Sequence, residues 1–110
     1  MYYTKKTVEI SACHSLKLNY ESKCQHLHGH NWIITIYCKS EELNENGMVA
    51  DFSTVSNQIK HVLDHKNLNE VFDFNPTAEN IARWIVENIP NCYRADVQES
   101  LDNMAAYERD

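Results

Sequence analysis

Two histidines separated by one glycine, His28-Gly29-His30, are the residues of this chain whose types and spacing point most directly to chemistry. In extended backbone, residues i and i+2 project to one side, so both imidazoles reach a single metal ion. Gly29 leaves no side chain between them and lets the chain bend toward that ion. His14 stands just past the end of a first strand, beside the second strand where the two pair as neighbours. Three His ligands with a fourth position open is the arrangement of a catalytic zinc, not a structural one. A lone His-x-His is a weak signal, because unrelated surface histidines also produce it, and His14 strengthens it.

Three further places carry titratable or nucleophilic groups. Cys24 lies four residues before His28 in a polar stretch. It reads as a fourth ligand, an inert thiol, or a thiolate acting as base or nucleophile, since a cation and imidazoles nearby lower a thiol pKa. His26 lies between the two, so a ligand set that includes it stays open. Asp64-His65 has the form of a dyad in which a carboxylate orients an imidazole. Spacing alone favours an ordinary helix end there, where His suits the dipole, and His61 reads as a helix-surface residue. Glu99 sits in an apolar strand, and a buried carboxylate needs a partner. Arg83 or Arg94 would serve, as would a ligand with adjacent N–H donors.

The elements that must position these groups follow from periodicity. Tyr2–Ala12 alternates, with Val8, Ile10 and Ala12 on one face, which predicts a half-buried strand. Residues 13–30 lose the pattern and predict a long loop, a kind of segment that is usually functional. Trp32–Lys39 resumes strand character, Glu45-Asn46-Gly47 marks a turn, and Met48–Phe52 would extend the pairing briefly. Phe52, Val55, Ile59, Val62 and Leu63 have helical spacing and predict an amphipathic helix ending near Asp64. Thr77 caps a second helix with Ile81, Trp84, Ile85 and Ile89 as its apolar stripe, stopped by Pro90. Tyr93, Ala95, Val97 and Glu99 share a face of a third strand, and a turn at Asp102-Asn103 leads to a fourth. The order β-β-α-α-β-β predicts an α+β fold: a four-stranded antiparallel sheet with two helices on one face. The other face then calls for a cover, which a partner subunit would supply.

Composition bounds the rest. The chain has 110 residues, a length that fits one domain, 1–110. Its 16 acidic and 10 basic residues give a net charge of −6, which argues against nucleic-acid binding because phosphate neutralisation needs clustered Lys and Arg. No apolar run approaches the ~20 residues of a membrane span, and Met1–Lys6 lacks a signal-peptide core. With no secretory signal, and with Cys13 and Cys38 in apolar strand-like segments, free thiols in a reducing, cytoplasmic compartment are expected. The lack of a Cys-x-x-Cys among Cys13, Cys24, Cys38 and Cys92 argues against a structural zinc finger.

Taken together these residues resemble the 6-pyruvoyl-tetrahydropterin synthase / 6-carboxy-tetrahydropterin synthase family, which has the tunnelling fold. The resemblance runs through Ser11-Ala12-Cys13-His14, Cys24-x-x-x-His28-Gly29-His30-Asn31, Gly47-Met48-Val49-Ala50-Asp51-Phe52, Leu63-Asp64-His65, Asn75-Pro76-Thr77-Ala78-Glu79-Asn80 and Val97-Gln98-Glu99. It implies that His14, His28 and His30 hold one Zn2+ per chain and that Cys24, Asp64 and His65 form the catalytic triad. It also implies that Glu99 anchors the guanidine-like edge of a pterin, with Thr77 reaching the pocket of a neighbouring subunit. Members of this family act on 7,8-dihydroneopterin triphosphate and assemble as a hexamer, a dimer of trimers, with active sites at subunit interfaces. The three-residue gap between Cys24 and His28 is similar to the carboxy-forming branch, which makes 6-carboxy-tetrahydropterin, acetaldehyde and triphosphate on the route to queuosine. The pyruvoyl-forming branch, which eliminates triphosphate, is the alternative. A non-catalytic, zinc-stabilised interaction module is a second one. Cys13 before the first His and Ser100 after Glu99 depart conservatively from the family pattern.

Overall fold

More and less buried positions alternate through both ends of the segment expected to be a loop, where the strands continue. In the computed structural model, which describes residues 1–110, β1 spans Tyr2–His14 and β2 spans His28–Ser40. His14, His28 and His30 therefore lie on strands, and only residues 15–27 form a connection, which carries one 3-10 turn at Lys23–Gln25. The remaining elements are α1 (Phe52–Leu63), β3 (Lys66–Asn67), α2 (Leu68–Val71), α3 (Ala78–Asn88), β4 (Cys92–Ser100) and β5 (Asn103–Glu108). The expected α+β order stands, with a two-residue strand and a single helical turn added between the main helices. Met48–Phe52 does not extend the pairing: Met48 accepts a backbone bond from Asn44 in a turn, and Asp51 caps α1. No helix is long and apolar enough to cross a membrane.

The sheet order is β3-β1-β2-β4-β5, antiparallel throughout except for β3, which pairs parallel to β1 at Ala12 and Cys13. One face carries Val8, Ile10, Ala12, Trp32, Ile34, Ile36, Cys38, Ala95 and Val97, all buried beneath the helices. Against it α1 sets Val55, Ile59 and Leu63, and α3 sets Ile81, Ala82, Ile85 and Val86. Fully burying each of the larger side chains contributes about 1.5–3 kcal/mol. Asp51 accepts from Ser53 N and Thr54 N, and Thr77 accepts from Asn80 N, so both main helices begin on side-chain caps.

Two details differ from the sequence pattern. A bulge at Tyr93, where Tyr37 pairs with Arg94 but Cys38 with Cys92, puts Cys92 on the core face in place of Tyr93. The face away from the helices mixes polar pairs with an aromatic cluster of Tyr3, Tyr37 and Tyr93. Tyr37 donates to Asp96 (2.9 Å), Arg94 Nε donates to Asp96 (2.8 Å), and Ser11 Oγ donates to Asn31 (2.9 Å).

Candidate metal centre and active site

The core face of the sheet ends in a layer of ligand atoms. Antiparallel pairing sets His14 opposite His28 and Ala12 opposite His30, so all three imidazoles leave the sheet on one side. Glu99 joins them two residues beyond Val97, on the same face of β4. One ligand atom from each of His14, His28, His30 and Glu99 lies within 4.8 Å of all the others. The ring centroids of His14 stand 4.5 Å from His28 and 5.2 Å from His30. Trp32 is the floor, its ring 4.9 Å from His14, its indole N–H donating to Ala12 O at 3.1 Å.

Hydrogen bonds behind the rings decide which nitrogens face inward. His14 Nδ1 lies 2.8 Å from the carbonyl of Pro76, and His28 Nδ1 lies 2.7 Å from that of His26. A carbonyl only accepts, so each Nδ1 carries the proton and each Nε2 presents a lone pair. His14 Nε2 and His30 Nε2 are buried and have no hydrogen-bond partner. Such orphans are rare in folded proteins, and these two nitrogens are placed to serve as ligand atoms. Glu99 does not supply the bond: its oxygens lie 3.4 Å from His30 Nε2 and 3.9 Å from His14 Nε2. Burial holds the His14 pKa below its ordinary value; the Pro76 bond opposes this and the neighbouring His28 adds to it. His30 is likewise lowered, first by burial, with Glu99 opposing. Neutral imidazoles with inward lone pairs fit a divalent cation better than an ion pair. Three imidazole nitrogens with a carboxylate alongside are a donor set that suits zinc.

The centre opens into a cleft of about 490 Å3 lined by Lys23, Cys24, His28, Gly29, His30, Glu99, Ser100 and Asn103. That is the size range of a small-molecule site. Cys24 is held there by backbone: its N–H donates to Ser22 Oγ (3.2 Å) and its carbonyl accepts from Leu16 N (2.8 Å). The long connection is pinned by two asparagines that imitate strand pairing. Asn69 accepts from Ser15 N and donates to Ser15 O, and Asn75 does the same with Lys17. Arg83 and Arg94 do not meet Glu99; they pair with Glu87 and with Asp96 and Glu108.

Asp64, His65 and Thr77 are not among the residues lining this cleft. Asp64 Oδ1 accepts from Ser11 N at 2.9 Å, and Oδ2 lies 3.6 Å from His65 Nε2. His65 takes a left-handed backbone, φ 59°, and donates its N–H to Ser11 O at 2.7 Å. Its side chain is 83% exposed, so the dyad faces outward from its own chain. Thr77 caps α3, next to the Pro76 carbonyl that holds His14. Sequence reasoning missed the Pro76 and His26 carbonyls, because any residue has a carbonyl. It left His26 open as a ligand; the exposed His26 instead supports His28 through its backbone.

The whole chain has known counterparts. Residues 3–110 match the family model described as 6-pyruvoyl tetrahydropterin synthase. The chain belongs to this family. A relative from Synechocystis sp., named 6-carboxy-5,6,7,8-tetrahydropterin synthase, is 33% identical over 121 aligned positions, covering 97% of this chain and 93% of the relative. A Pyrococcus furiosus relative named dihydroneopterin monophosphate aldolase is 37% identical over 92 positions, covering 81% and 75%. The solved 6-pyruvoyl tetrahydropterin synthase of Caenorhabditis elegans superposes with a TM-score of 0.77 at 23% identity, covering 99% of this chain and 96% of that one. The architecture is thus the tunnelling fold of the pterin synthases. As a family member the chain is an enzyme of the lyase class, with a pterin as its small-molecule substrate.

Proposed function

We propose that this chain, acting as a single unit over 1–110, is a zinc-dependent 6-carboxy-5,6,7,8-tetrahydropterin synthase of queuosine biosynthesis. It converts 7,8-dihydroneopterin triphosphate and one water to 6-carboxy-tetrahydropterin, acetaldehyde and triphosphate. The observation that carries the metal part is the pair of buried, unpartnered nitrogens, His14 Nε2 and His30 Nε2, in one cluster with His28. The branch is supported by the name of the full-length Synechocystis relative and by the short gap between Cys24 and His28.

His14, His28 and His30 would hold the zinc, which leaves its fourth position to the substrate. Bound there, zinc supplies Lewis-acid polarisation of the substrate's side-chain hydroxyls. The Cys24 thiol, on the wall of the same cleft, moves protons on the pterin side chain. The His65 imidazole, whose Nε2 faces Asp64, moves the second proton through its other nitrogen, Nδ1. Glu99 accepts two adjacent N–H donors of the pterin edge, the geometry a carboxylate matches best, and Thr77 positions the ring.

Because Asp64, His65 and Thr77 face away from their own cleft, the reading needs them from a neighbouring copy. Two open sheet edges support such assembly. The outer edge of β5 pairs with nothing, and β1 meets β3 only at Ala12 and Cys13, leaving Tyr2–Ile10 unpaired on that side. A homo-oligomer, a hexamer built from two trimers, closes these edges. Four free cysteines accord with the cytoplasm.

Metal reconstitution tests the reading. Protein stripped with a chelator consumes no 7,8-dihydroneopterin triphosphate yet keeps its circular dichroism, and activity returns linearly up to one zinc per chain. Loss of secondary structure on stripping would instead point to the zinc-stabilised interaction module.

A further inference from the structure

We infer that Lys23 is the residue that receives the phosphate-bearing tail of the substrate, and so selects phosphorylated over unphosphorylated pterins. This rests on the proposed reading that the substrate is a phosphorylated dihydroneopterin.

Lys23 is the single Lys or Arg among the residues lining the cleft that opens on the histidine cluster. It adjoins Cys24 on the 3-10 turn, so it stands at the same wall as the proposed proton-transfer group. Its backbone position is fixed. Ser22 Oγ accepts from Cys24 N, Gln25 Oε1 accepts from Ser22 N (3.3 Å), and the carbonyl of Lys23 accepts from His26 N (3.1 Å). The ammonium itself is uncommitted. The carboxylates that form ion pairs do so with Arg83, Arg94 and the histidines, and none pairs with Lys23.

Two neutral groups complete the same rim. Asn103 Nδ2 donates to Ser100 Oγ at 3.0 Å, which leaves the Ser100 hydroxyl proton free to donate outward. A cation and a hydroxyl donor facing one opening match phosphate oxygens. Charge sharpens the argument. The chain carries a net −6, so a multiply charged anion is repelled by most of its surface and is drawn to a cation at the rim of the cleft. A lysine is a compact point charge that follows a flexible polyphosphate without demanding one geometry.

The test uses the full-length zinc-loaded chain and its K23A and K23R forms. Three ligands are compared: 7,8-dihydroneopterin triphosphate as substrate, unphosphorylated dihydroneopterin as competitive ligand, and inorganic triphosphate by calorimetry. K23A is expected to raise KM for the triphosphate and to weaken inorganic triphosphate binding by roughly tenfold to a hundredfold, the usual effect of removing a charged hydrogen-bond partner. The affinity for unphosphorylated dihydroneopterin should move less than twofold, K23R should recover most of the loss, and zinc content should stay at one per chain. Equal weakening of phosphorylated and unphosphorylated ligands, or unchanged triphosphate binding, overturns the inference. A wild-type chain that turns over no pterin defeats the functional reading instead, and triphosphate binding by wild type against K23A still decides Lys23.

Discussion

His14 and Pro76 are joined by a 2.8 Å bond between ring Nδ1 and carbonyl oxygen, and this one contact sets the chemistry of the centre. It fixes the proton on Nδ1, turns the Nε2 lone pair toward His28 and His30, and ties the end of β1 to the chain entering α3. His14 is fully buried, so the arrangement is part of the core and not a surface accident. The core-facing stripe of β1 and β2 passes from aliphatic side chains through Trp32 to imidazoles without leaving the sheet.

This burial makes the metal-free protein acid-sensitive. Burial, the largest cause for both, lowers the pKa values of His14 and His30 from 6.5 in the folded state, so the unfolded chain binds more protons at mildly acid pH. Stability is then undiminished above the unfolded value of 6.5 and falls as pH drops below it, until the folded-state pKa values are passed. Urea unfolding of the stripped protein between pH 8 and pH 5 should show a midpoint that declines on the acid side. A midpoint that rises on acidification would mean that the histidines are stabilised as cations by Glu99.

Cys24 is predicted to act on protons, not on the metal. Replacing it with Ala should lower kcat by about 10²–10⁴, the usual worth of a general acid or base. Zinc should remain at one per chain by atomic absorption. If the C24A protein loses its zinc, the thiol is a ligand and the role given to it here is wrong.

His65 offers a cleaner separation of fold from chemistry. Its left-handed backbone suits Asn almost alone among non-glycine replacements, so H65N should fold without new strain. Thermal melting should place its Tm within a few degrees of wild type while kcat falls by about 10²–10⁴. Unchanged turnover would remove the dyad from the mechanism, and the φ of His65 would then be a turn requirement only.

Much of this was legible in the residues. The alternation in Tyr2–Ala12 and the capped helix at Thr77 each led to the element found, while the His-x-His pair points to the cluster but, placed by the pattern in a loop, lies on β2. The two-residue pairing of β3 was not legible, because it depends on His65 and Lys66 lying beside Ser11 and Ala12, a contact between distant parts of the chain. The bulge at Tyr93 was hidden for a related reason: alternation predicts a face only while the register holds. Glu99 was read as a partner for arginine or substrate, and its place beside His14 and His30 needed the strand order β1-β2-β4. The cleft-lining role of Lys23 had no signal in sequence at all.

The most direct measurement is mass analysis of the products formed when the zinc-loaded protein is incubated with 7,8-dihydroneopterin triphosphate. The account predicts 6-carboxy-tetrahydropterin, with acetaldehyde and triphosphate released in equal amounts. A 6-pyruvoyl-tetrahydropterin product, with triphosphate but no acetaldehyde, would contradict it.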